Sequence, residues 1–168
     1  ELKISDFKPI LKESFTSVAN VFGIIVSATV FGLYLTYAHI PQMITNFVLG
    51  FTSSKIMFLL MVNLIMLIMG MLIDGAAIIM IAAPLLYPVA MSLHINPIHF
   101  GVVIILNLAI GGLTPPFGSA MYQCCKLCDI QIPAFLVQCK ELLISLFVTL
   151  LLVTFIPGIS TLLPTLMK

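Results

Sequence analysis

Apolar residues in this chain fall in long runs separated by short polar knots, without the strict alternation of a half-buried strand. Residues 14–37 form the first run, about 24 residues and roughly 36 Å as helix, enough to cross a bilayer. Its Ser14, Thr16, Ser17, Asn20 and Ser27 are more polar than lipid favours, which predicts that one face packs on protein. His39-Ile-Pro41 ends the run. Residues 41–51 are too short to span and read as an interfacial or partly inserted arm, and residues 52–55 as a loop whose serines can cap the next helix.

Residues 56–73 and 76–90 are two apolar limbs on either side of Asp74-Gly75, the second carrying Pro84 and Pro88. Two short limbs joined by a tight polar tip predict a re-entrant helical hairpin. Two full spans would leave the orientation of the other helices unchanged. After a polar loop over residues 92–97 comes an apolar run, 97–122, that contains Asn107-Leu-Ala-Ile-Gly-Gly-Leu-Thr-Pro-Pro-Phe-Gly118. Proline removes a backbone donor and glycine frees the backbone, so Gly111-Gly112 and Pro115-Pro116 predict a discontinuous helix rather than a kinked one. Unwound backbone survives at membrane depth only where it is buried in protein or lines a polar cavity. Residues 126–133 are a polar connection, 134–156 a plain span, and Pro157-Gly158 and Pro164 punctuate an apolar tail. The chain thus divides into 1–55 (surface segment, first span and arm), 56–132 (hairpin and broken helix) and 133–168 (last span and tail).

Composition sets the class. Of 168 residues, 61% are hydrophobic and 8% charged, with mean hydropathy +1.25, against about a quarter charged in soluble domains. The chain is an all-α membrane protein. Seven lysines, no arginine and a net charge of +1 leave no nucleic-acid footprint. Lysine placement orients the spans: with the N-terminus cytoplasmic, Lys3, Lys8, Lys12, Lys126 and Lys140 lie inside against Lys55 and Lys168 outside. A start at Glu1 predicts a fragment of a longer chain.

Little else carries chemistry. Asp74 is the one carboxylate deep within an apolar stretch, where charge is costly and marks ion or substrate paths; in a solvated turn it would mean nothing more than a turn. Cys124, Cys125, Cys128 and Cys139 match no zinc spacing and read as small apolar residues at a helix end. A protease dyad needs two carboxylates sharing a proton and one is on offer, so no catalytic residue and no cofactor is assigned. A purely structural membrane subunit remains as an alternative, although it has no need of a double-proline break.

The motifs Gly70-Met-Leu-Ile-Asp74-Gly75-Ala-Ala-Ile, Pro84-Leu-Leu-Tyr-Pro88, Ile95-Asn-Pro-Ile-His99-Phe-Gly101 and Asn107 to Gly118, in that order, resemble the C-terminal half of the large membrane subunit of tripartite ATP-independent periplasmic (TRAP) transporters. The likeness runs from about residue 10 to the end and includes Phe155-Ile-Pro157; after Gly118, Ser119-Ala-Met-Tyr-Gln-Cys-Cys departs from the family pattern. The resemblance implies an elevator-type secondary transporter of inverted repeats in a bacterial inner membrane. It would import organic acids with a sodium gradient, working with a small membrane subunit and a periplasmic substrate-binding protein. A related ion-coupled anion permease that needs no binding protein is the alternative. On this footing the sodium ion is expected at Gly70, Asp74, Gly111, Thr114 and Gly118, and the substrate at Asn107, Thr114, Pro115 and Pro116. The inward-side repeat would lie outside this chain, so this portion alone should not transport.

Overall fold

The computed structural model describes residues 7–51 and 54–167, without the side chain of Leu163. Lys3 and Lys168 of the charge argument, and Thr52 and Ser53 of the expected loop, lie outside the described residues. Eight helices follow one another: α1 (Phe7–Tyr37), α2 (Ile40–Phe51), α3 (Lys55–Leu72), α4 (Gly75–Ser92), α5 (Pro97–Gly112), α6 (Ser119–Cys128), α7 (Ile132–Phe155) and α8 (Pro157–Leu166). Four of them, α1, α3, α4 and α7, are long and apolar enough to cross a membrane.

Local chemistry explains the boundaries. His39, in the left-handed region at φ 55°, turns the chain from α1 into α2. Asp74 caps α4, its carboxylate accepting from the Ala76 N–H at 3.0 Å. Asn96 caps α5, accepting from Ile98 N at 2.9 Å, and Pro97 takes the first helical position, where its missing donor is not needed. Asp129, at φ 52°, closes α6 by donating its N–H to the Cys125 carbonyl.

Two expectations from the apolar pattern change. α1 starts at Phe7, inside the stretch read as a surface segment, and the apolar tail is the helix α8. α4 runs unbroken through Pro84 and Pro88. A proline strips the donor from the carbonyl four residues back, and membrane helices tolerate this when neighbours pack closely against them. α1 and α2 both pack on α4. Gly32 of α1 lies beside the Met80 carbonyl that Pro84 leaves free, a Cβ there falling 3.9 Å from that oxygen.

The core is the seam between α3 and α5. Every fourth residue of α3, Phe58, Val62, Met66 and Gly70, is buried, as are Phe100, Val103, Ile104, Asn107, Ile110 and Gly111 of α5. Phe58 and Phe100 stack at one end, with ring centroids 6.1 Å apart. Both helices begin at that end, where Lys55 Nζ also donates to the His94 carbonyl at 3.1 Å. At the other end Gly70 meets Gly111. α3 therefore packs chiefly on α5, parallel to it, rather than on its sequence neighbour α4.

Candidate functional site at the tip of α3 and the end of α5

The tip between α3 and α4 and the segment 113–118 between α5 and α6 meet at one end of the seam. A Cβ built on Gly111 would lie 2.7 Å from both the Cα and the carbonyl carbon of Gly70; one on Gly70 would lie 3.2 Å from the Gly111 Cα. The two backbones thus touch directly, which glycine at 111 makes possible and glycine at 70 eases. The Phe117 N–H donates to the Met71 carbonyl at 3.1 Å and ties segment to tip.

Within the segment, α5 ends by tightening: the N–H groups of Leu113 and Thr114 donate to the Ile110 and Gly111 carbonyls at 3.1 and 3.0 Å. The Gly111 carbonyl, although close to the prolines, therefore has a partner. The Thr114 hydroxyl donates to the Ile110 carbonyl at 2.6 Å, leaving its oxygen lone pairs free. The Pro115–Pro116 peptide bond is cis. Past it the chain doubles back so tightly that a Cβ on Gly118 would lie 2.7 Å from both the Gly112 and Thr114 carbonyl oxygens. Two carbonyl oxygens so converge on the start of α6, whose first turn has no side-chain cap.

Of the residues singled out in the sequence, Gly70, Gly111 and Gly118 are buried at this junction, Thr114 and Pro115 are half-buried, and Pro116 is exposed. Asp74 is exposed at the start of α4. Asn107 lies fully buried one turn before Gly111. Its amide donates to Asn63 Oδ1 and to the Val103 carbonyl, each at 2.8 Å. Asn63 in turn donates to Thr154 Oγ1 at 2.9 Å, and Thr154 to the Leu150 carbonyl at 2.7 Å. This polar relay crosses from α5 through α3 to α7. Among the described residues, Asn107 Oδ1 and His99 Nε2 are the buried side-chain atoms without a partner.

Sequence reasoning missed Asn63 and Thr154. Their signal was a lone amide in the apolar run of α3 and a hydroxyl near the end of α7, polar groups that membrane helices keep for contacts between helices. It missed likewise the bond at 2.8 Å between His99 Nδ1 and Ser160 Oγ, which fastens α8 to the start of α5.

Long apolar helices around a buried polar relay, with backbone packed on backbone beside a proline-rich segment, define a multi-pass all-helical membrane protein. The family described as tripartite ATP-independent periplasmic transporter, DctM component, matches residues 1–159, and the chain belongs to it. It is 38% identical to the sialic acid TRAP transporter large permease protein SiaM of Vibrio cholerae, over 98% of this chain and 39% of that protein. The C4-dicarboxylate TRAP transporter large permease protein DctM of Pseudomonas aeruginosa is 36% identical over 98% of this chain and 38% of its own length. The isethionate TRAP transporter permease protein DctMQ of Oleidesulfovibrio alaskensis is 32% identical, over 95% of this chain and 25% of its own. The chain thus spans about two-fifths or less of these relatives.

Proposed function

We propose that the chain forms one repeat of a sodium-coupled secondary transporter that imports organic acids across a bacterial inner membrane. The rest of the permease, a small membrane subunit and a periplasmic binding protein complete it. The observation that carries this reading is the contact of Gly70 and Met71 with Gly111 and Phe117, which joins a helical tip to a proline-interrupted segment. In this reading α3 and α4 are the limbs of a re-entrant hairpin, and α5 and α6 the halves of a discontinuous helix.

Sodium takes oxygen ligands. The convergence of the Gly112 and Thr114 carbonyls supports a cation site here, as do the free lone pairs of Thr114 Oγ1; the exposed Asp74 carboxylate at the tip would add negative charge to it. Gly70, Gly111 and Gly118 contribute by allowing close backbone approach. The uncapped first turn of α6 offers N–H donors and the positive end of a helix, which suit an anionic group. Sialic acid, C4-dicarboxylates and isethionate, named for the relatives, are all acids, so an organic acid is the substrate class. Thr114, Pro115 and Pro116 would line its pocket, while Asn107 acts from beneath by holding the end of α5.

The test is uptake by the intact permease in proteoliposomes, supplied with its binding protein and labelled sialate, a C4-dicarboxylate or isethionate across a sodium series. Asp74→Asn keeps a capping oxygen and removes the charge; Thr114→Val keeps shape and removes the hydroxyl. Each should raise the sodium concentration for half-maximal uptake, by roughly five- to 150-fold for a loss of about 1–3 kcal/mol. Apparent substrate affinity should fall with it at limiting sodium, since the two ligands are linked. Uptake indifferent to sodium would remove the coupling; unchanged sodium dependence in both variants would move the ion elsewhere.

A further inference from the structure

We propose that His99 and Ser160 form an acid-sensitive latch, in which protonation of the buried imidazole releases α8 from the start of α5. α8 is lightly held. Among the described residues none of its side chains is fully buried: Ser160, Thr161 and Pro164 are half-buried and the others exposed. Thr161 and Thr165 keep their hydroxyls inside α8, on the Pro157 and Thr161 carbonyls. Ser160 instead reaches across to α5, its oxygen 2.8 Å from His99 Nδ1.

The hydrogen bonds fix the state of the ring. Ser160 has one hydroxyl proton, and it goes to the Pro157 carbonyl at 2.9 Å. Nδ1 is then the donor toward Ser160 Oγ, and Nε2 carries a bare lone pair. The opposite tautomer would bury an N–H with nothing to accept it. His99 is 1% exposed and Nε2 has no partner, so the atom that would take a second proton is enclosed by this chain itself. A proton there creates a donor without an acceptor and a charge without a counter-ion.

Nothing packed around the ring offsets that charge. α8 has no titratable side chain, and α5 has none besides His99. α4 contributes Tyr87 alone, and Asp74 caps its far end. α7 carries Cys139, Lys140 and Glu141 in its first half, whereas α8 follows its last turn. α3 brings Lys55, which donates to the His94 carbonyl, and the loop 93–96 brings exposed His94. These two basic groups disfavour a further positive charge.

Undocked, the ring is an ordinary histidine that titrates near pH 6.5, whereas the docked ring resists the proton. Docking is therefore whole above that pH and weakens below it, by up to about tenfold per pH unit. His99 stands in the first turn of α5, beside the polar loop and outside the four long apolar helices, so the released ring meets water.

The test is hydrogen exchange of the full-length permease in lipid nanodiscs between about pH 8 and about pH 5.5, read by mass spectrometry as protection factors for residues 157–166. Protection factors divide out the intrinsic pH dependence of exchange. In the unaltered protein, protection of α8 should fall roughly tenfold at about pH 5.5 while that of α3 stays level. Triazolylalanine at position 99 keeps the shape of the ring and takes no proton in this range, and with it α8 should stay protected throughout. His39→Asn and His94→Asn, at exposed positions whose left-handed backbone asparagine tolerates, should leave the response intact. Protection independent of pH in the unaltered protein, a response that survives the triazole, or one abolished at His39 or His94 would each overturn the latch. So would an α8 left unprotected at every pH by the triazole, since a neutral ring should suffice. Transport enters none of these measurements, so the latch and the transport reading stand or fall separately.

Discussion

Replacing Gly111 by alanine should separate α3 from α5. The added methyl would stand 2.7 Å from two backbone carbons of Gly70 and 3.1 Å from the Met71 nitrogen, against a normal carbon–carbon contact of about 3.5–4.0 Å. None of these atoms belongs to a flexible side chain, so the helices themselves must part. They can part only by loosening the ridge from Phe58 to Gly70 and by stretching the Phe117–Met71 bond. Overpacking of a close interface costs about 1–3 kcal/mol, and the gain in helix propensity returns at most about 1 kcal/mol. Gly101, on the same helix, has nothing within 4 Å of where its Cβ would be, so Gly101→Ala should be neutral or stabilising. Gly70→Ala, at 3.2 Å from the Gly111 Cα, should fall between them. The assay is unfolding of the purified permease in mixed detergent micelles, followed by far-UV circular dichroism. Gly111→Ala should unfold first by a margin on the order of 2 kcal/mol relative to Gly101→Ala. If Gly111→Ala is as stable as Gly101→Ala, backbone contact between these helices does not hold the seam.

Further outcomes are expected. Asn63→Leu should leave an N–H of the buried Asn107 amide without its acceptor and the Thr154 oxygen without its donor, and destabilise by about 1–3 kcal/mol; a double-mutant cycle with Thr154→Val should return a coupling of about 0.6–1.7 kcal/mol, and additivity would deny the relay. Ser160→Ala should strand the buried His99 ring and loosen α8, seen as faster proteolysis after Phe155, while unchanged proteolysis would show that other contacts hold α8. Gly118→Ala should displace the Gly112 and Thr114 carbonyls and reduce uptake more than it reduces stability; wild-type uptake would detach these carbonyls from the site.

What the sequence determined by itself follows from solvent and covalent geometry. Runs such as 14–37 and 134–156 cannot be left in water, and their length matches a bilayer, so helices were required there whatever their neighbours. Asp74 and Asn96 announce the starts of α4 and α5 because a short polar side chain satisfies its own helix's first donors. Pro115 and Pro116 cannot extend α5, and it stops at Gly112. Only the tertiary structure decided which helices meet. α3 lies on α5 because Gly70 and Gly111 allow contact of backbone on backbone, a complementarity between residues 41 positions apart that no local pattern contains. α4 stays continuous through two prolines because α1 and α2 cover it. Asn63 became visible as a partner of Asn107 and Thr154 only in three dimensions, since an amide in an apolar run announces a need for a hydrogen bond without naming what will meet it.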